Sequence, residues 1–477
     1  MSIKRFVADA DTTITNAYDV SLINRAFYAN MGAADSLEVY SIFGQASIDS
    51  IEKSRILVKF PINEISASRA SGTLPASGSV NFYLKLSNVK HPFSLPSNYD
   101  LSIKPVSASW DEGTGLDMED YRDIGISGSS GAGCNWLYRQ LDTQWSASGG
   151  DFLNDYAIKY SIINGEEDIL ADITSIVESQ IANTIPNYGL GIMLSGGFEV
   201  STGSVSYYTK KFSARNSQFF YKRPAIEARW EDAIKDDRGD FYGSSSLLSD
   251  AENKQNIYFY NVFKGNYRNI PTSPTLTVKF YTDSTKTAEV SPSYLSMSNP
   301  EAGVYKAVTA LETTASSLLD YWVNSSATGT VYFSSSFDVK TAAGTEYNTD
   351  DSYVFKITNL KETYRNNETP KLKLFSRKIN WNPTIYSVAA NQVENEIHKN
   401  LYYKIFRYRD NYTIIDYSTG SLAYSKVSYD SSGNYIKLDM SIFEPDYTYG
   451  IRFALYENNR IKESAEEFKF RIEAAWA

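Results

Sequence analysis

Short apolar runs separated by polar turns recur along the whole 477-residue chain. The run Val80-Asn81-Phe82-Tyr83-Leu84-Lys85-Leu86 alternates apolar and polar positions. That is the period of a strand with one buried and one wet face. Comparable runs predict strands over Ile56–Phe60, Leu101–Val106, Tyr156–Ile163, Leu190–Leu194, Ser204–Phe212 and Ala225–Trp230. A middle group covers Asn256–Phe263, Thr275–Tyr281, Gly303–Leu311 and Gly329–Val339. A last group covers Ser352–Ile357, Lys371–Phe375, Leu401–Tyr408, Thr413–Tyr417, Tyr435–Asp439, Tyr449–Tyr456 and Glu467–Ile472. Asp430-Ser431-Ser432-Gly433-Asn434 reads as a hairpin turn, with Gly433 free to take positive φ. Only Asp168–Ser179 spaces its apolar residues near helical intervals, which predicts one short helix or turn.

These groups predict an all-β protein of three sandwich domains, over residues 1–232, 233–351 and 352–477. The number and spacing of strands in the second fit an immunoglobulin-like sandwich. Glu231-Asp232-Ala233-Ile234-Lys235-Asp236-Asp237-Arg238-Gly239-Asp240 has no apolar period and reads as a charged linker. Its Arg238-Gly239-Asp240 spells an integrin-binding tripeptide, a three-residue match that is common by chance.

Composition agrees with the strand pattern. Aromatic residues make up 14% of the chain, and 37 of them are tyrosines, which favour strands and half-wet surfaces. The net charge of -10 argues against a general nucleic-acid binder, which needs clustered Lys and Arg. It also keeps a protein soluble when many copies sit close together. The single cysteine, Cys134, rules out an intrachain disulfide. A catalytic cysteine would want a histidine, and the two present, His91 and His398, lie in different parts of the chain. The first twenty residues show neither a basic nor an apolar region of a secretory signal, and no run approaches the roughly 18 apolar residues of a membrane span.

Candidate chemistry concentrates in one loop, Trp110-Asp111-Glu112-Gly113-Thr114-Gly115-Leu116-Asp117. Asp111, Glu112, Asp117 and Asp120 make it a candidate calcium site, since calcium takes about six to eight oxygens. The competing reading is a solvated acidic loop. Carboxylate pairs could also serve glycoside hydrolysis, although any loop this acidic contains such pairs. Trp136, Tyr138 and Trp145 are candidate contacts for the C–H faces of a sugar. Trp110 ends an apolar run and reads as core, whereas Trp136 and Trp145 flank polar turns and are expected to be partly exposed. No phosphate loop, nucleophile elbow or metal-spaced His/Cys cluster is present.

Taken in order, several stretches of the first region resemble the DNRLRE-type β-sandwich module, a jelly-roll relative of carbohydrate-binding modules. They are Phe6–Ile14, Ser54–Phe60, Ile103–Gly113, Asp172-Ile173-Thr174 before Asn187–Leu190, Phe212-Ser213-Ala214-Arg215, and Arg223-Pro224-Ala225-Ile226. The whole order, a jelly-roll-like sandwich followed by two smaller Ig-like sandwiches, is similar to structural proteins of tailed bacteriophages. Phe355–Lys361, Leu401–Ile405 and Leu438–Tyr449 carry the later part of that likeness. The resemblance implies a virion component made in the host cytoplasm and present as a homo-oligomer or in many copies. Its implied partners are other virion proteins and, in some members, a host glycan. It implies no catalytic residues.

Overall fold

The structure is a computed structural model. It describes residues 2–18, 22–27, 29–43, 51–90, 96–116, 133–199, 206–271, 275–325, 330–340, 352–382, 385, 395–457 and 459–475.

Residues 2–230 form one compact unit. Its strands are β1 (Ile3–Val7), β2 (Ala10–Thr15), β3 (Ser36–Phe43), β4 (Ile51–Lys59), β5 (Asn81–Leu86), β6 (Tyr99–Pro105), β7 (Tyr138–Gln140), β8 (Thr143–Gln144), β9 (Ile158–Ile162), β10 (Ile169–Asp172), β11 (Leu190–Leu194), β12 (Tyr207–Ser213) and β13 (Ala225–Arg229). A four-stranded sheet runs β1-β13-β5-β10, and a seven-stranded sheet runs β12-β3-β4-β11-β6-β9 with β2 paired to β4. Both sheets feed one apolar cluster. Phe82, Leu84 and Leu86 of β5 and Ile226 of β13 share it with Val39, Ile56, Val58 and Ile103 of the other sheet. Between the buried positions of β5, Asn81, Tyr83 and Lys85 stay half-buried, so the alternation read from the sequence is the alternation of faces. A buried carboxylate, Glu227 of β13, is ringed by Arg5, Lys85 and Arg229, which hold it far below the usual carboxylate range despite its burial.

Among the described residues this unit has two α-helices, α1 (Ile62–Ala70) and α2 (Thr174–Ile181). The helix expected over Asp168–Ser179 is corrected to strand β10 followed by α2. Ile169 and Ala171 are buried while Leu170 and Asp172 are exposed, a period of two at the front of the segment. Asp172 Oδ1 then accepts from the Thr174 amide at 2.9 Å, and Thr174 Oγ1 accepts from the Phe82 amide at 2.9 Å, tying the helix start to β5. The sequence reading missed α1. It follows Pro61, and Ile62 and Ile65 are its only buried apolar residues.

Residues 231–477 form the second compact unit. Strands β14 (Phe241–Tyr242), β15 (Gln255–Tyr260), β16 (Val262–Phe263), β17 (Asn266–Tyr267), β18 (Leu276–Tyr281), β19 (Glu289–Val290), β20 (Tyr294–Glu301), β21 (Val304–Ala310), β22 (Ser317–Asn324) and β23 (Val331–Lys340) come first. They give a five-stranded sheet β14-β23-β22-β18-β19, a three-stranded sheet β15-β21-β20 and the hairpin β16-β17. Phe241, Ile257, Phe259, Phe280 and Trp322 share the core between the sheets. Strands β24 (Tyr353–Ile357), β25 (Thr363–Arg365), β26 (Lys371–Lys378), β27 (Leu401–Arg407), β28 (Tyr412–Ile415), β29 (Ser428–Asp430), β30 (Gly433–Lys437), β31 (Thr448–Glu457), β32 (Arg460–Glu463) and β33 (Phe468–Glu473) follow. They give a four-stranded sheet β24-β26-β30-β29 and a six-stranded sheet β25-β33-β31-β27-β28 with β32 paired to β31. The fold is thus all-β, a jelly-roll-like sandwich followed by two smaller Ig-like sandwiches. The β29–β30 turn falls where the sequence places it: Gly433 sits at φ +126° and Asp430 Oδ1 accepts from the Ser432 amide at 2.8 Å.

The Glu231–Asp240 stretch is not the solvated linker its charge pattern predicts. Asp236, Asp237 and Arg238 are buried. Arg238 donates to Asp236 Oδ2 at 2.9 Å, to Asp320 Oδ2 of β22 at 2.6 Å and to the Tyr258 carbonyl of β15 at 2.5 Å. Trp322 Nε1 completes the cluster with a 2.8 Å bond to the same Asp320 oxygen. Asp237 accepts from the Asn256 amide at 2.7 Å and from the Tyr429 hydroxyl of β29 at 2.9 Å. Asp240 pairs with Lys340 at 3.0 Å and with Lys399 at 2.9 Å. One charged segment therefore bonds to both sandwiches of its unit. Asp236, Asp237 and Arg238 can be buried because each has a partner, without which burial would be prohibitive.

Candidate functional site

The tryptophan-acid loop covers the outer face of the seven-stranded sheet. In β4, Ile56 and Val58 point into the main core, while Leu57 points the other way into a second cluster with Ile14, Val106, Trp110, Cys134, Trp136 and Trp145. Trp110 donates to the Tyr188 carbonyl at 2.7 Å, as fits the core role read from the sequence. The partial exposure expected of Trp136 and Trp145 is corrected. They are only 6% and 5% exposed. The Trp145 indole donates to the Asn135 carbonyl at 2.9 Å, and the Arg55 guanidinium lies 5.3 Å from the Trp136 ring centre. Tyr138 is half-buried on the short β7–β8 hairpin, its hydroxyl bonded to Gln144 at 3.3 Å. The three do not form an open platform for a sugar ring, because both indoles are covered.

The acids of the loop are similarly engaged. Both oxygens of Glu112 accept from Arg215, at 2.9 and 2.8 Å, and one also accepts from the Asp11 amide at 2.9 Å. Asp11 Oδ2 takes the Arg215 amide at 2.5 Å, and burial pushes the Asp11 carboxyl up to about 7. Asn30 stitches the loop from beneath. It donates to the Glu112 and Cys134 carbonyls, both at 2.8 Å, and accepts from the Gly32 and Gly115 amides. Gly113, at φ +84°, passes so close that an added Cβ would lie 2.3 Å from Asn30 Oδ1. Glu112 is thus an arginine partner here, which counts against its place in a calcium shell. Asp111 is exposed, and Asp117 and Asp120 lie outside the described residues. Among the described residues no group of three or more His, Cys, Asp or Glu could hold a metal ion. Burial pushes the Cys134 thiol far up, away from a reactive thiolate. His398 is wedged edge-on against Tyr353 and bonded to Ser376 Oγ at 2.7 Å, and burial pushes it down to about 4.

The more open constellation lies in the second unit, where the sequence reading proposed no site. The strand expected over Asn256–Phe263 ends at Tyr260, and the chain turns into the hairpin β16–β17. Lys264 and Gly265 at its tip both have positive φ, 49° and 81°, the backbone of a two-residue hairpin turn. Val262, Phe263 and Tyr267 on this hairpin are 54%, 54% and 46% exposed. Tyr267 also lines a cleft of about 210 Å³ with Ile234, Val304 and Ile436 as apolar wall, and Lys371, Lys426 and Lys437 among its polar groups. Lys371 lies 3.5 Å from the Tyr435 ring centre and pairs with Asp430 at 3.2 Å. Lys437 sits 5.8 Å from the Tyr267 ring centre. The sequence signal was Lys264-Gly265 between the apolar pair Val262-Phe263 and Asn266-Tyr267. It is too short to stand out from the strand before it.

No family model matches the sequence, and no curated protein matches it. Among solved structures the chain is similar to the adhesin InvE of Yersinia pseudotuberculosis at 10% identity and a TM-score of 0.15, over 46% of this chain and 54% of the adhesin chain. It thus spans about half the length of that adhesin chain. It is also similar to the FN1-FN3 domains of chicken CNTN1 (13% identity, TM-score 0.16, 57% of this chain and 83% of that one). A DUF4785 family protein from Legionella pneumophila gives 8% identity and a TM-score of 0.14 over 98% and 93% of the two chains. Likenesses this distant carry no argument about what the chain binds or does.

Proposed function

We propose that the chain is a non-catalytic display protein whose β-sandwiches present contact surfaces within a larger assembly, and that the assembly is the virion of a tailed bacteriophage. The observation that carries the display reading is the buried Arg238 cluster. A stretch that could have been a flexible tether instead bonds to both sandwiches of residues 231–477, so the two are presented as one stiff body. Stiffness suits a part that holds a partner in a fixed geometry, since little order remains to be lost on binding. The groups that a hydrolase or thiol enzyme would need also have structural duties: Glu112 on Arg215, Cys134 in a core, His398 on Ser376. The phage setting rests on the sequence resemblance, and with it the expectation of many copies in symmetric array. Mass spectrometry of purified particles, with cryo-electron microscopy of the same sample, tests it. The expected result is several copies per particle, with density for sandwich domains. Particles that contain no copy, and that assemble identically when the coding region is deleted, would overturn it.

A further inference from the structure

Two lysines, Lys426 and Lys437, line the Tyr267 cleft without a carboxylate in ion-pair contact. Among the described residues neither Lys426 nor Lys437 makes an ion pair. Lys426 is half-buried, and its ammonium donates to the neutral side-chain oxygen of Asn400 at 3.3 Å and lies 5.9 Å from the Tyr402 ring centre. Burial, and then the neighbouring Lys235, push it below the usual lysine range, and the more weakly felt Glu231 does not offset them. Lys426 and Lys437, with Lys371, place three cations on one cleft of a chain whose net charge is -10. They favour an anion. The rest of the wall narrows which one. Asp232 and Glu301 also line the cleft, and their carboxylates would repel a compact polyanion such as phosphate. The same carboxylates accept hydrogen bonds from hydroxyl groups. Ile234, Val304 and Ile436, with the Tyr267 ring, offer an apolar surface for C–H groups. A volume of about 210 Å³ admits one ring and not a chain of them.

We propose that this cleft binds a single carboxylate-bearing sugar ring, the acidic unit of a polyanionic glycan. Lys426 and Lys437 take the carboxylate, Tyr267 takes a C–H face of the ring, and Asp232 and Glu301 take its hydroxyls. One ring in an open cleft binds weakly, with a Kd on the order of millimolar. Many copies displayed together raise the effective affinity without any new contact. The site goes beyond the display reading, and its failure would leave particle incorporation untouched.

The test is titration of the full-length protein, followed by isothermal calorimetry and ligand-observed NMR, with glucuronic acid, glucose and inorganic phosphate as probes. The expected result is saturable binding of glucuronic acid, at least about tenfold tighter than glucose or phosphate and weakened by salt. Lys437→Glu and Tyr267→Ala, both at exposed positions, should keep the melting temperature and weaken glucuronic acid binding about tenfold or more. Equal binding of glucose, equal binding of phosphate, unchanged binding by Lys437→Glu, or no saturable binding of glucuronic acid would each overturn the proposal.

Discussion

A buried charge is tolerable only through its partners, and Arg238 shows how one side chain comes to govern a junction. Its guanidinium neutralises Asp236 and Asp320, which are 4% and 0% exposed. Arg238→Ala would leave both carboxylates buried and uncompensated. The expected loss is about 3–5 kcal/mol, read as a lower urea midpoint for the transition of residues 231–477. His398 makes a second prediction. Burial depresses its pKa in the folded protein from 6.5 to about 4, so the unfolded chain binds the proton first. Its contribution is therefore present in full above about pH 6.5 and is lost as pH falls towards 4, by about 3 kcal/mol at most. His398→Gln should flatten this part of the stability-against-pH curve. A variant that loses stability on acidification as steeply as wild type would count against the assignment. Glu112 gives a third. Glu112→Ala removes the Arg215 pair, which is 20–33% exposed and so partly screened. It should lower the melting temperature by a few degrees, equivalent to about 1 kcal/mol. Millimolar calcium should neither raise the wild-type value nor restore the variant. A calcium-dependent rise in wild type that the variant lacks would return Glu112 to a metal shell.

Strand β4 illustrates what an element can do that a residue cannot. It is buried on both faces, and its two faces serve two cores: Ile56 and Val58 one, Leu57 the other. The tryptophans over Leu57 are therefore structural, and Trp145→Ala is expected to cost about 3–5 kcal/mol in stability. Wild-type stability in that variant, measured by thermal unfolding, would contradict the burial assigned here. The pattern of β5 was fully legible, because its alternation is local and its partners β10 and β13 need not be known to read it. Strand β22 was not. Asp320 interrupts the apolar pairs Leu318-Leu319 and Tyr321-Trp322, and no strand is predicted over this run. Its reason for being there is an arginine 82 positions earlier. Glu231–Asp240 failed for the same cause, since charges look solvated until their distant partners are placed. Trp136 and Trp145 misled because polar turns flank them in sequence. Burial came instead from the loop cover above the sheet and from Arg55 over the Trp136 ring. The Tyr267 cleft was beyond reach, because its lining comes from residues 232 to 437.

At the scale of the whole molecule, two compact units with separate cores divide the chain between Trp230 and Glu231. Scanning calorimetry should accordingly resolve two transitions. Arg238→Ala should move only one of them, and Trp145→Ala only the other, because neither pair of sites shares a partner. A single cooperative transition that both variants shift would mean that the two cores melt together. The sealed position of Cys134 has a practical consequence at this scale. The only thiol in 477 residues is 0% exposed and sits in the tryptophan cluster. Maleimide chemistry therefore has no native target while the fold is intact. One cysteine introduced at a position such as Leu247, 90% exposed, would carry a fluorophore or spin label at a single known address.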